Sequence, residues 1–228
     1  MIPHLEFSDP YDAWRAAVKL IWEYDGNIDT EDKIIYPVPI VSTINTPTTT
    51  VRDNPLYSQS FINVYVEQIL SGDKKGFEYT YGERLNAYPT DGAKINQIDC
   101  AIQRLKEDSE SRRACCVTWN PPIDTQLDDC PCMQWVKFFI RGKYVCMQVL
   151  FRSHDIGKGY YPNLLMLSKL LMHVAKKLEK DVGYITLISS DAHLYKSDSD
   201  FVEEFINEHT LNKHLPNSWN DYRRVCGV

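Results

Sequence analysis

The sequence has no run of ~18 to 20 uninterrupted apolar residues, the length that a membrane-spanning helix requires. Its N-terminus, Met1-Ile2-Pro3-His4-Leu5-Glu6, lacks the basic-then-apolar pattern of a secretory signal. A cytoplasmic location is the resulting expectation. The seven cysteines are Cys100, Cys115, Cys116, Cys130, Cys132, Cys146 and Cys226. They form no C-x-x-C pair and no paired metal-ligand spacing, so no metal is expected. Most of them should be reduced and buried as small apolar residues. Glycine and proline are scarce, at 10 and 12 of 228 residues, which excludes collagen-like and low-complexity chains. Basic residues are in deficit: 25 Lys and Arg against 31 Asp and Glu give a net charge of −6. A broad basic surface for duplex nucleic acid is therefore not expected, although a small cationic pocket for one phosphate is compatible with this balance.

What remains is an ordinary globular composition, 43% hydrophobic and 25% charged, long enough for one domain over residues 1–228. Ser8-Asp9-Pro10 is a helix start, followed by an amphipathic stretch from Tyr11 to Tyr24. Residues 34–52 suggest strand and irregular connection. Asn54-Pro55 suggests a helix opening that runs to about Leu70, and residues 74–92 suggest a loop. Ile98, Ala101, Ile102 and Leu105 mark a helix over residues 95–106. Strands are expected at 114–119, 134–140 and 144–151, the last two joined by the hairpin signal Arg141-Gly142-Lys143. Leu164, Leu167, Leu171, Val174 and Leu178 give the strongest helix pattern. A strand over 184–189 and a short helix over 200–208 complete the series. Segregated strands and helices predict an α+β, or mixed α/β, fold.

Four polar clusters stand at the ends of expected strands. Cys132, in Asp129-Cys130-Pro131-Cys132-Met133, is either an exposed nucleophile or a half-buried apolar cysteine. Arg112-Arg113 is either an anion clamp or a solvated turn. Phe151-Arg152-Ser153-His154-Asp155 enters a glycine-containing loop that suits a phosphate but lacks P-loop spacing. Asn163 follows and either caps the next helix or faces a ligand. His193 and Tyr195, two apart on one extended face, either bind a sugar hydroxyl or are structural. Several polar clusters at strand ends are the pattern of a sheet that lines one pocket.

These residues, in this order and spacing, resemble the thymidylate synthase family, which includes the pyrimidine nucleotide hydroxymethylases. The resemblance runs from about Tyr81 to Tyr195. Asp108-Ser109-Glu110-Ser111-Arg112-Arg113 is similar to the family's D-x-x-S-R-R phosphate clamp. Pro131-Cys132 is similar to its Pro-Cys nucleophile. Arg152-Ser153-His154-Asp155 with Gly159 and Pro162-Asn163 is similar to R-S-x-D-x-x-x-G-x-x-x-N, and Asp191 to Tyr195 to D-x-H-x-Y. Tyr81-Gly82 and Pro89-Thr90-Asp91-Gly92 are similar to its upstream segment.

The resemblance implies a large mixed, mainly antiparallel β-sheet covered by helices, with a sheet face used for dimerisation. It implies transfer of a one-carbon unit from 5,10-methylenetetrahydrofolate, or a methanopterin analogue, to carbon 5 of dUMP. The product would be dTMP, or a hydroxymethylated nucleotide if water captures the methylene. By the same resemblance Cys132 is the nucleophile, and Arg152 lowers its pKa and binds phosphate. Ser153 completes the phosphate site, together with Arg112 and Arg113 donated across a homodimer. Asn163 reads the uracil edge, and His193 and Tyr195 hold the deoxyribose. Asp155 and Gly159 face the pterin, and Tyr81 belongs to the network that moves the carbon 5 proton. The sequence departs from the family in carrying Met133, where histidine usually follows the nucleophile, and in a short segment between Gly72 and Tyr81. Glu67 is the candidate for the glutamate that orders water at the base. Val225-Cys226-Gly227-Val228 is expected to close over the site.

Overall fold

The computed structural model describes residues 2–74 and 76–208. The expected closing segment, Cys226 included, lies outside the described residues. In chain order the elements are β1 (His4–Phe7), α1 (Pro10–Trp22), β2 (Ile28–Asp29), β3 (Lys33–Ile35), β4 (Ile40–Ile44), α2 (Gln59–Glu67), α3 (Tyr81–Asn86), β5 (Tyr88–Thr90), β6 (Ala93–Ile95) and α4 (Gln97–Glu107). They continue with β7 (Cys115–Val117), α5 (Pro121–Asp124), β8 (Met133–Arg141), β9 (Tyr144–Asp155), α6 (Tyr160–Lys177), β10 (Asp181–Tyr195) and α7 (Ser199–Glu208). The main sheet has the order β1-β4-β10-β9-β8-β7, with the β2–β3 ribbon added to the far half of β10. Its β1–β4 and β9–β10 pairs are parallel and the others antiparallel. This is the α+β architecture that the strand and helix pattern predicted, with the mixed, mainly antiparallel sheet that the resemblance implied.

Alternation sets the layers. Along the strands Val136, Phe138, Met147, Val149, Ile185 and Leu187 are buried, while Trp135, Phe139, Leu150, Tyr184 and Ile188 between them are only half-buried. The buried face meets α6, which α2 covers in turn, with α1 beside it. Most of α6 is buried, from Tyr160 to Ala175, because it lies between the sheet and the outer helices. Its crossover is what allows β9 and β10 to pair in parallel. Asp9 caps α1 as expected: its Oδ1 accepts from the Tyr11 and Asp12 N–H groups at 2.9 and 3.1 Å. The Trp14 indole of α1 donates to the Ile156 and Gly157 carbonyls, each at 3.0 Å, and stacks on Tyr161 at 4.9 Å. This contact fixes the loop between β9 and α6.

Several expected boundaries move, each for a local reason. Asn54 opens no helix. Its Oδ1 accepts from Leu56 N–H and Tyr57 N–H at 3.0 and 2.7 Å, which closes a turn, and α2 starts only after its Ser58 cap. The expected loop over 74–92 contains α3, capped by the Thr80 hydroxyl on Glu83 N–H, and the β5–β6 hairpin. Gly82 sits in α3 because a Cβ there would lie 1.9 Å from the Gln68 carbonyl oxygen. Strands β9 and β10 extend through Asp155 and Tyr195, carrying the polar clusters as regular strand. Of the described cysteines only Cys116 and Cys146 are buried. Cys100 and Cys115 are exposed, and Cys130 and Cys132 are half-buried.

Candidate active site

Strand register assembles the site. The antiparallel β8–β9 ladder pairs Met133 with Phe151 and draws Arg152 N–H onto the Cys132 carbonyl at 2.9 Å. The parallel β9–β10 ladder pairs Ser153 with Asp191 and Asp155 with His193. Cys132, Arg152, Ser153, Asp155, His193 and Tyr195 therefore come from three adjacent strand ends. Tyr81, at the start of α3, joins them: its hydroxyl accepts from Met133 N–H at 3.3 Å. Its ring stands edge-on to Phe151 at 6.1 Å.

Arg152 folds over the turn before the nucleophile candidate. Its Nε donates to the Pro131 carbonyl at 3.1 Å, and one terminal nitrogen donates to the Cys130 carbonyl and Sγ at 2.9 and 3.1 Å. Burial pushes the Cys132 thiol up, and the Arg152 guanidinium only partly opposes this. Arg152 thus lowers the thiol pKa as expected, but in the chain by itself desolvation outweighs it and the net shift is upward; the second terminal nitrogen of Arg152 makes none of these bonds. The thiolate is the reacting form, so alkylation of Cys132 should accelerate as pH rises, with a midpoint above the ordinary thiol value of about 8.5. Peptide mapping after timed iodoacetamide treatment measures it, and a midpoint below 8 would contradict the structure.

Asp155 is also raised, first by burial, against the Lys158 N–H that its Oδ1 accepts at 3.1 Å. Gly159 enables this turn, since a Cβ there would sit 2.9 Å from the Asp155 carbonyl oxygen. His193 is 4% exposed; its Nδ1 lies 3.0 Å from the Asp191 carbonyl, while its buried Nε2 has no partner among the described residues. The Tyr195 ring packs edge-on against His193 at 5.1 Å. An orphaned imidazole nitrogen beside a phenol is a ready partner for a ligand hydroxyl.

Asn163 does not cap α6. It lies inside the first turn, 6% exposed, and its amide is held between two side chains. The Tyr65 hydroxyl donates to Asn163 Oδ1 at 2.7 Å, and Asn163 Nδ2 lies 3.1 Å from His154 Nε2. Glu67, by contrast, is on the exposed end of α2 and paired with Lys169, so it does not reach this site. The side chain that α2 brings to Asn163 is that of Tyr65, two residues earlier. Arg112 and Arg113 are exposed on the loop after α4, without an ion-pair partner among the described residues. Among the described residues no hydrogen bond or salt bridge links them to the Cys132 cluster.

Sequence reasoning missed Tyr65, the His154–Ser189 pair, whose Nδ1 and Oγ lie 2.9 Å apart, and the part of Cys130 in holding Arg152. Tyr65 carries no local signal, because its partner is 98 positions away. Tyr57, Phe61 and Tyr65 form a column of rings at helical spacing, with centroids 5.4 and 6.2 Å apart. The column reaches the β9–α6 loop, where the Tyr57 hydroxyl donates to the Lys158 carbonyl. The Asp155 carboxylate is near enough to Tyr57 to help disfavour ionisation of its phenol, so aromatic and carboxyl groups share this loop.

Comparison with known proteins identifies the family. The family model described as thymidylate synthase matches residues 43–221. A provisionally named thymidylate synthase of Methanosarcina mazei is 38% identical over 200 residues, 86% of this chain and 90% of that protein. One from Methanothermobacter thermautotrophicus is 45% identical over 156 residues, 68% of each chain. One from Methanocaldococcus jannaschii is 35% identical over 153 residues, 64% of this chain and 69% of that protein. The chain belongs to the thymidylate synthase family.

Proposed function

We propose that the chain is a single catalytic unit, working in the cytoplasm as a homodimer, that converts dUMP to dTMP with a methylene-tetrahydropterin. The observation that carries the reading is the juxtaposition, by strand register, of the Cys132 thiol with Arg152, Ser153, Asp155 and His193, beside the Asn163 amide. Family membership supports one-carbon transfer as the reaction class. Among the described residues no helix is long and apolar enough to cross a membrane.

Carbon 6 of uracil is the electrophilic end of a conjugated carbonyl. The Cys132 thiolate adds there, and the displaced electron pair makes carbon 5 an enolate-type nucleophile. Asn163 can donate to O4 and accept from N3–H, so it suits uracil and steadies charge growing on O4. Burial keeps the Tyr81 phenol protonated, so it serves as a relay for the carbon 5 proton rather than as a base. His193 and Tyr195 take the deoxyribose hydroxyl. Arg152 and Ser153 take the phosphate, with Arg112 and Arg113 of the partner subunit. The half-buried apolar sheet face, with Trp135, Phe139 and Leu150, is the surface that would pair two copies. The carrier, tetrahydrofolate or a methanopterin analogue, supplies the methylene and the hydride. Asp155 and the Tyr57–Phe61–Tyr65 column orient it. In the balanced exchange carbon 5 would take the carrier's methylene and give up its proton, the carrier nitrogen would leave, and the carrier's hydride would then displace the Cys132 thiolate, giving dTMP and the oxidised carrier.

The test supplies dUMP and dCMP together with each methylene carrier and identifies products by mass spectrometry. Methylated uracil nucleotide is the expected product. A hydroxymethylated nucleotide would instead mean that water traps the methylene, making the chain a hydroxymethylase.

A further inference from the structure

Asn163 is chemically ambiguous. An amide rotated by 180° about its last torsion exchanges its donor and its acceptor, and so exchanges the base it suits. With Oδ1 and Nδ2 in one order it fits the O4 and N3–H of uracil. In the other it fits the N4–H and N3 of cytosine. Whatever fixes the rotation therefore decides the base.

Two side chains flank the amide. Tyr65 lies 2.7 Å from Oδ1 and His154 Nε2 lies 3.1 Å from Nδ2. His154 cannot swing away. It is 2% exposed, lies flat on Phe151 at 4.0 Å with an interplanar angle of 2°, and its Nδ1 is 2.9 Å from Ser189 Oγ. Burial and the neighbouring His193 hold it neutral, pushed down to about 3, so it carries a single ring proton. A neutral imidazole adapts to either amide rotation. It accepts at Nε2 and donates Nδ1–H to Ser189, or donates Nε2–H and accepts from the Ser189 hydroxyl. The His154–Ser189 pair alone therefore does not choose.

Tyr65 breaks the tie. Burial pushes its phenol up to about 12, so the O–H proton stays and needs an acceptor. Asn163 Oδ1 supplies one. With the amide reversed, the Tyr65 oxygen would face an N–H and its own proton would lose its acceptor among the described residues. An unmade hydrogen bond at a half-buried donor is costly. The amide thus keeps Oδ1 on Tyr65 and Nδ2 on His154, with one lone pair and one N–H left for the base.

We infer that the Tyr65–Asn163–His154–Ser189 chain is a positioning relay, in which the Tyr65 hydroxyl sets the Asn163 amide for a uracil and against a cytosine edge. The inference rests on the reading of Asn163 as the base-contacting residue. Tyr65 and His154 act through Asn163 and take no part in bond making.

The experiment measures equilibrium binding of dUMP and dCMP to the full chain by titration calorimetry, with no carrier present. Three proteins are compared: the unaltered chain, Tyr65→Phe, and Asn163→Asp as the control for the underlying reading. Tyr65→Phe removes only the hydroxyl. The ratio of dUMP to dCMP affinity should fall by about tenfold, the effect of one such hydrogen bond. Loss of affinity for both nucleotides in equal proportion, or an unchanged ratio, would overturn the relay, since a merely structural tyrosine does not alter a ratio. Asn163→Asp should move the ratio toward dCMP. If it does and Tyr65→Phe does not, the relay fails and the reading of Asn163 survives. If Asn163→Asp leaves the ratio unchanged, Asn163 does not read the base and both fall.

Discussion

Cys132→Ser is expected to lower the dTMP-forming rate by at least about 10³-fold while dUMP binding changes little, because loss of the nucleophile removes the covalent step itself. A serine hydroxyl at that position is nearly isosteric but remains protonated at neutral pH. Among the described residues no base is in hydrogen-bond contact with it: the Tyr81 hydroxyl is engaged with Met133 N–H, and Arg152 is a cation. The phosphate, sugar and base contacts proposed for Arg152, His193 and Asn163 do not depend on the thiol, so affinity should persist. Turnover falling together with affinity would point to a collapsed site rather than a missing nucleophile. Turnover that survives would exclude Cys132. Cys130 is the internal control. It is only two residues away but offers its sulfur to Arg152 at 3.1 Å, so Cys130→Ser should retain most of the rate.

The second large effect concerns stability. Arg84 and Asp124 are each 1% exposed, and Glu83 is 3% exposed. The Arg84 guanidinium pairs with both Asp124 carboxylate oxygens at 2.6 and 3.4 Å and with Glu83 at 3.3 Å. Asp124 Oδ2 also accepts Asn120 N–H at 2.6 Å. An amide at position 124 would leave Arg84 with Glu83 alone and set its own N–H against either Arg84 or the Asn120 N–H, so a buried donor loses its acceptor; loss of one partner from a buried ionic cluster costs about 3–5 kcal/mol. Asp124→Asn should therefore consume a fifth or more of a typical folding free energy of about 5–15 kcal/mol. The pair also anchors α3, which carries Tyr81, so the rate should fall before the protein unfolds. Urea unfolding followed by circular dichroism reads the change. A loss under 1 kcal/mol would mean that Arg84 is rescued by water or by Glu83.

Much of the candidate site's geometry was legible in the sequence because six of its residues cluster within three short segments. Arg152-Ser153-His154-Asp155, Pro131-Cys132 and Asp191 to Tyr195 each hold their spacing along one strand end, and pairing of neighbouring strands does the rest. The fold was legible where periodicity was strong, as in α1, α4, α6 and the β8–β9 hairpin. It was not legible where a tertiary contact overrides local preference. Gly82 in a Tyr- and Gly-rich stretch resembles loop, yet it is helical because the chain packs against the Gln68 carbonyl. Asn54-Pro55 has the look of a helix start, but the Asn54 side chain satisfies two backbone donors in a turn instead. Glu67 was chosen for its carboxylate, whereas helix geometry turns Tyr65 inward to Asn163 and leaves Glu67 at the surface with Lys169. A neutral His154 lying between Asn163 and Ser189 requires strand pairing and helix packing at once, and no local pattern encodes that.

The central claim is that Cys132 adds to carbon 6 of the pyrimidine and thereby makes carbon 5 nucleophilic. Incubating the protein with dUMP in deuterated buffer, with no carrier, tests it most directly. Reversible addition renders carbon 5 basic, so solvent deuterium should replace its hydrogen and raise the nucleotide mass by one unit, read by mass spectrometry. The account predicts exchange with the unaltered chain and none above background with Cys132→Ser. Exchange at the same rate in both proteins, or its absence from the unaltered chain, would contradict it.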